Sequence, residues 1–395
     1  MTVRAHFFNH IAKTSPFPLG LEIASARGSR ILDVTGKSYI DFISGIGVSN
    51  LGHAHPEILG ALHTQADLYL HTMVYGEHIQ SPQVLLARAL CDNLPEHLHQ
   101  VYFLSSGTEA IETAMKMTRK ITNRSRILSC QNAYHGSSYG SMSLMSDQSK
   151  TLAYAPLLPD IDHIVFNQQD SLHVIDETVA AVFIEVIQAE AGIILPDREF
   201  LQSLQERCKK FQVLLVVDEI QSGMGRTGSL FAFNHYGLEP DILVLGKSLG
   251  GGLPLAACIS SEQYFEAIAY DPPLTHMTTF GGHPLCCATG LAALTILLNT
   301  DIINQSTTKS QRFSKQLVHP NIKEIRMTNG LWMAIDIGDA ALVQQVIPRA
   351  QEDGLLVDWF LFNDQSIRIA PPLNIADEDL DEAAIILLNA IDLET

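Results

Sequence analysis

Two stretches decide the fold: Val213-Leu214-Leu215-Val216-Val217-Asp218-Glu219, and Ile242-Leu243-Val244-Leu245-Gly246-Lys247-Ser248-Leu249-Gly250-Gly251-Gly252. Each is a short, continuous apolar run, the pattern of a strand covered on both faces. Each ends in a charged side chain, and the spacing leaves room for one connection and a second strand. Similar short runs occur at Val101-Tyr102-Phe103-Leu104 and Ala181-Val182-Phe183-Ile184. Helical windows such as Ser81 to Leu94 and Arg198 to Phe211 lie between them. That alternation predicts a mostly parallel α/β sheet covered by helices. Arg30 to Val34 and Tyr39 to Phe42 read instead as strands about a turn at Thr35-Gly36-Lys37. The last hundred residues offer a helix over about 284–299, a strand from Leu331 to Ile337 and a helix from Asp377 to Ile391, the pattern of a smaller α+β unit. The boundaries expected are residues 1–50 for an N-terminal segment joining the small domain, 51–300 for the large domain and 301–395 for the small one.

Bulk composition narrows the function classes. With 395 residues, 46% of them hydrophobic, the chain can bury a large core and is expected to form two domains. A formal charge of −18 disfavours nucleic acid as a partner. The six cysteines show no Cys-x-x-Cys spacing, so reduced thiols are expected, with no metal site. No apolar run approaches the roughly 20 residues of a membrane span. Nor does the N-terminus have the basic-then-apolar pattern of a secretion signal, so a cytoplasmic protein is expected.

The chemistry starts at Asp218 and Lys247. An amine and a carboxylate at one sheet edge can grip the two ends of one aromatic cofactor. Pyridoxal phosphate needs that pair, an amine for its aldehyde carbon and an acid for its pyridinium nitrogen. Gly246 and Gly250-Gly251-Gly252 clear space around Lys247, and desolvation there would free its neutral amine. Solvent-exposed charges at strand ends are the alternative for both residues. Ile220 would pack on the ring and Gln221 would reach its phenolic oxygen. In Leu104-Ser105-Ser106-Gly107-Thr108-Glu109 a strand passes into a helix. The helix N-terminus makes Ser106, Gly107 and Thr108 candidates for a phosphate, although Ser followed by Glu three residues later is also a capping box. Tyr134, in Asn132-Ala133-Tyr134-His135-Gly136, can lay its ring on the cofactor or simply pack in the core. His283, in Thr278-Thr279-Phe280-Gly281-Gly282-His283-Pro284, reads as a helix cap. Arg368, in Ile367-Arg368-Ile369-Ala370-Pro371-Pro372, needs an anion, either a substrate carboxylate or a structural partner such as Glu190.

Together these motifs resemble the class III (omega) aminotransferases of PLP fold type I. The likeness runs from Asp33-x-x-Gly36-x-x-Tyr39-x-Asp41-Phe42 through Gly52-His53-x-His55-Pro56 to Arg368-x-x-Pro371-Pro372. It implies a mostly parallel seven-stranded sheet covered by helices, plus the smaller α+β domain. It implies that Lys247 is the Schiff-base lysine, Asp218 the pyridinium partner and Tyr134 the stacking aromatic. Gly107 and Thr108 would supply phosphate amides, and Thr279 would reach the phosphate from the other subunit of a homodimer. Glu190, in Glu185-Val186-Ile187-Gln188-Ala189-Glu190-Ala191-Gly192, corresponds to a gate pairing with the carboxylate-binding Arg368. The reaction implied takes an amino group from a small-molecule amine or amino acid, often at its terminal position, to a 2-oxo acid such as 2-oxoglutarate or pyruvate.

Two departures stand out. Val186 and Ala189 replace the family's usual Pro and Gly. More telling, Ser137 stands where acetylornithine, ornithine and 4-aminobutyrate enzymes place a carboxylate-binding Arg. His71, Tyr75 and Arg4 are further candidates for the pocket. The rival readings are an aminomutase, racemase or decarboxylase of the same architecture, and a non-catalytic protein that keeps the fold.

Overall fold

The computed structural model describes residues 2–74 and 76–392. Its central sheet has seven strands: β1 Gln100–Leu104, β2 Arg126–Cys130, β3 Ile161–Ile164, β4 Val179–Glu185, β5 Leu214–Asp218, β6 Ile242–Leu245 and β7 Ala256–Ser260. Their spatial order is β1-β7-β6-β5-β4-β2-β3. Neighbours run parallel, except that β7 is antiparallel to both β1 and β6. The mostly parallel seven-stranded sheet expected is therefore present. Every residue of β4, β5 and β6 is buried. Helices cover both faces of such a sheet, which is why these runs are continuously apolar and do not alternate.

Helix Gly107–Thr122 covers one face, burying Ala110, Ile111, Ala114 and Met115 at helical spacing, and ends where Asn123 turns left-handed at φ 54°. Helix Arg198–Phe211 belongs to a second core, burying Phe200, Leu201, Leu204 and Cys208 before Gln212 terminates it at φ 53°. Each fully buried Leu or Phe of such a stripe contributes roughly 1.5–3 kcal/mol. Leu204→Ala would leave a cavity and cost about 2–5 kcal/mol. Pro284–Asn299 packs on Pro56–Leu68 and Ser81–Cys91. No single helix among the described residues is long and apolar enough to cross a membrane.

Register positions the chemistry. Asp218 at the end of β5 lies opposite Glu185 of β4 and Val244 of β6, and Lys247 follows three residues after Val244. Glu185, Asp218 and Lys247 thus arrive at the carboxyl ends of three adjacent parallel strands, where α/β sheets bind ligands.

Two smaller sheets complete the chain. Ile23–Arg27, Arg30–Asp33 and Ser38–Asp41 form a meander whose last strand pairs in parallel with Leu355–Leu356. Glu324–Met327, Met333–Asp336, Ser366–Ile369 and Asp358–Trp359 form an antiparallel sheet. Its Met333–Asp336 strand is shorter than the expected Leu331 to Ile337, because Gly330 and Leu331 belong to a turn closed by Trp332 N donating to Gly330 O. Likewise helix Ser81–Cys91 stops short of the expected Leu94.

Candidate active site

A cavity of about 470 Å³ opens at the carboxyl ends of β4, β5 and β6, and both Asp218 and Lys247 line it. Asp218 is held at both oxygens. Its Oδ2 lies 2.7 Å from His135 Nδ1, and its Oδ1 accepts from Ile220 N at 2.9 Å. Burial lowers the His135 pKa, but the bond to Asp218 and the nearby charge of Glu185 outweigh it, so His135 titrates above its ordinary value. Glu185 is pushed up to about 8 by burial. It accepts from Tyr134 N and Ala189 N, both at 3.3 Å.

Lys247 begins a short turn with φ 48°, a left-handed backbone that costs a non-glycine residue energy. Its Nζ donates to Gln221 Oε1 at 2.8 Å. Desolvation is the largest influence on this amine and lowers its pKa to about 8, against the pull of Glu190, Asp218 and Glu185. Gln221 Nε2 is buried and has no hydrogen-bond partner. A buried amide donor left open is costly unless a ligand meets it.

At the other end of the cavity, Ser106 caps helix Gly107–Thr122, its Oγ accepting from Glu109 N at 3.4 Å, while Glu109 Oε2 accepts from Ser105 N at 2.8 Å. The capping reading and the anion seat coexist, since Gly107 and Thr108 occupy first-turn positions that have no intrahelical acceptor. Both line the cavity, whereas Ser106 does not. A Cβ at Gly107 would come within 2.8 Å of Ile220 Cδ1, and one at Gly136 within 2.5 Å of Thr108 Oγ1. At both cavity-lining positions the neighbouring side chains approach so closely that only glycine fits. Thr108 Oγ1 bonds Ser138 Oγ at 2.7 Å and Ser141 Oγ at 2.6 Å. Tyr134 also lines the cavity, its hydroxyl 3.0 Å from Ser137 Oγ.

Arg368 is 2% exposed. Its Nη1 and Nη2 donate to the two carboxylate oxygens of Glu190 at 2.8 and 2.9 Å, a bidentate pair, and Nη2 also donates to Trp359 O at 2.8 Å. The guanidinium stacks 4.8 Å from the Phe360 ring centroid. Burial alone would raise the Glu190 pKa, but Arg368 holds it below its ordinary value. The charges of Glu190 and Arg368 both act on Lys247, although neither residue lines the cavity.

Other expected residues fall elsewhere. Thr279 is exposed and does not line the cavity. His283 caps helix Pro284–Asn299, accepting from Leu285 N at 3.3 Å, and His71 stacks on it at 5.3 Å between ring centroids. Arg4 donates to Gly20 O at 2.8 Å, outside the cavity. Tyr75 lies outside the described residues. The sequence reading missed His135 as the partner of Asp218, Glu185 as a buried acid and Asp358 beside Arg368. A histidine flanked by Tyr134 and Gly136 carried some signal, and Glu185 closes the apolar run Ala181 to Ile184 as Asp218 closes its own; Asp358 carried none.

Comparison with known proteins follows the same outline. The family model for class-III aminotransferases matches residues 11–391. The acetylornithine aminotransferase of Methanopyrus kandleri is 35% identical over 387 residues, covering 97% of this chain and 96% of that protein. The succinylornithine transaminase of Salmonella newport is 36% identical over 372 residues, covering 89% and 88%. The solved ornithine aminotransferase of Toxoplasma gondii, with pyridoxal phosphate in partial occupancy at its active site, superposes with a TM-score of 0.89 at 29% identity, covering 98% of this chain and 92% of that one.

Proposed function

From the premise that this chain belongs to the class-III aminotransferases and uses pyridoxal phosphate, we propose that it moves a terminal amino group from an amine or amino acid to a 2-oxo acid such as 2-oxoglutarate or pyruvate. The observation that carries this reading is the buried Arg368 bound at both nitrogens by the side-chain carboxylate of Glu190. A guanidinium at that depth needs an anion, and a substrate carboxylate offers the same two parallel bonds.

The residues present fit the cofactor. The open Gln221 Nε2, the helix N-terminus at Gly107 and Thr108 lining the cavity, and the acid and amine on adjacent strand ends suit such a group. When bound, pyridoxal phosphate supplies an aldehyde that takes the donor nitrogen and a ring that accepts electrons from the adjoining carbon. Lys247 Nζ would hold the aldehyde end between turnovers, then move a proton to and from the reacting carbon. A pKa of about 8 leaves a useful neutral fraction of this amine near neutral pH. Asp218, fixed by His135 and Ile220 N, would keep the ring nitrogen protonated, a charge in place before reaction. Gln221 Nε2 would donate to the phenolic oxygen, Ile220 and Tyr134 would bracket the ring, and the Gly107 and Thr108 amides would seat the phosphate above the Ser106 cap. Thr279 would complete that seat from the partner subunit of a homodimer.

Glu190 neutralises Arg368 while an acid-free amine occupies the site and swings away for the acid. Glu190→Ala should therefore slow the amine half-reaction much more than the keto-acid half, and equal losses would remove the switch. Ser137 supplies no cation for a distal carboxylate, so the favoured donors lack one there. The test is a donor panel without acceptor, including acetylornithine, succinylornithine, ornithine and plain alkylamines. One carbonyl product per active site is expected, with alkylamines reacting faster than acetylornithine. No carbonyl product would favour a racemase or mutase, and acetylornithine reacting fastest would remove the argument from Ser137.

A further inference from the structure

We propose that Asp358 is a second, stationary counter-ion of Arg368, and that its presence lets Glu190 leave when an acid arrives. The inference rests on Arg368 being the carboxylate site. Asp358 and Arg368 face each other in register across the antiparallel pair of Asp358–Trp359 with Ser366–Ile369. Asp358 Oδ1 lies 3.2 Å from Arg368 Nε, yet neither atom has a hydrogen-bond partner, so the contact is a charge pair without donor alignment. Glu190 is mounted differently. It lies in an irregular segment after β4, and its carboxylate is held by the guanidinium and by Leu361 N at 3.0 Å. Glu190 reaches the guanidinium through a longer side chain from outside the strand pair, whereas the register of the pair sets the shorter Asp358 beside Arg368.

The difference matters because stripping every anion from a buried guanidinium is strongly unfavourable. Were Glu190 the sole partner, its departure would be opposed by that penalty. With Asp358 fixed in place, the open site keeps a neutral pair. Asp358 is itself pushed up by burial to about 6, so it is ionised at neutral pH, and the charges acting on it include Arg368, Glu190, Asp41 and Lys247. Two consequences of opposite sign follow once Glu190 is neutral. Asp358 makes an acid-free donor tolerable beside Arg368, and it repels an incoming carboxylate.

The experiment measures KM for hexylamine and for 2-oxoglutarate in separate half-reactions of the holoenzyme. For hexylamine, Glu190→Gln should raise KM about fivefold and Asp358→Asn less than about twofold, but the double variant about fiftyfold or more, a coupling typical of groups sharing one partner. For 2-oxoglutarate, adding Asp358→Asn to Glu190→Gln should lower KM about fivefold. Asp358→Glu in the same background should restore both values. Asp358→Ser is a second neutral replacement should Asp358→Asn misfold, which thermal melting would reveal. Simple multiplication of the single effects, or weakening of both substrates together, overturns the proposal. Arg368→Lys separates the premise: if it leaves the KM for 2-oxoglutarate unchanged, the acid binds elsewhere and the functional reading falls with the inference. If that KM rises while the double variant shows no coupling, the inference alone falls.

Discussion

Two arginines, Arg226 and Arg368, lie equally deep in this protein, at 0% and 2% exposure. Their partners differ in kind. Arg226 Nη1 donates to Leu331 O at 2.8 Å and Pro371 O at 2.7 Å, and Nη2 donates to Asn50 Oδ1 at 2.6 Å. All three acceptors are uncharged, and burial pushes its pKa down to about 9, with only the more distant Asp41 opposing. Arg368 faces two carboxylates, Glu190 and Asp358; burial lowers its pKa, but the acids outweigh burial and raise it. Neutral acceptors belonging to the fold cannot be exchanged for a ligand, whereas a side-chain carboxylate can. Arg226 bolts three segments together, and Arg368, on the proposed function, offers a site. Depth alone does not mark function; the exchangeability of the partner does.

Breaking the bolt should have the largest effect. Arg226→Met removes three hydrogen bonds and leaves their acceptors buried, so denaturant melts should show a loss of about 3–5 kcal/mol, with little change in either substrate's KM in the folded fraction. Arg368→Met also strands the buried Glu190 and Asp358 and so destabilises, but its substrate profile should differ: the KM for 2-oxoglutarate rises about a hundredfold, equivalent to roughly 2.7 kcal/mol, while acid-free amines still react in the folded fraction. Similar profiles for the two variants would erase the distinction. A third cation, Lys247, half-buried in the cavity wall, sharpens it by titration. Its neutral form is the reactive one, and a pKa lowered to about 8 means that fraction grows as pH rises until it levels off above that value. Apoprotein should take up pyridoxal phosphate about tenfold faster for each pH unit between roughly 6 and 7, more gradually through about 8, and reach a plateau above about 9, as followed by absorbance. A rise continuing beyond pH 10 would mean an ordinary lysine. Smallest of all, Asn50→Ala removes one of the three acceptors from Arg226 and should cost about 1–2 kcal/mol in the same melts.

The contrast also shows what could be read from the chain. Asp218 and Lys247 were visible because each closes a continuous apolar run, and parallel strands align such ends at one edge. Helices Arg198–Phe211 and Asp377–Ile391 were visible through their apolar spacing. β7 was not, since Ala256-Ala257-Cys258-Ile259-Ser260 is mostly small residues and offers little strand signal, although all five are buried. Arg226 sits among Gly223, Gly225 and Gly228 and reads as a loop residue. His135 was quoted beside Tyr134, but its partner is 83 positions away. Asp358 acquires meaning only through the register of a two-residue strand, which local pattern does not encode.

That two-residue strand has an evolutionary consequence. The turn of residues 360–365 sets the alignment of Asp358 with Arg368 as a ruler sets a margin. Because strand side chains alternate faces, a single insertion or deletion that slipped the pairing by one residue would turn the acid away from the arginine. The cofactor cradle, on another sheet, would be untouched. On the proposed function, indels in this one short turn would retune which acids the scaffold accepts while leaving the nitrogen chemistry intact.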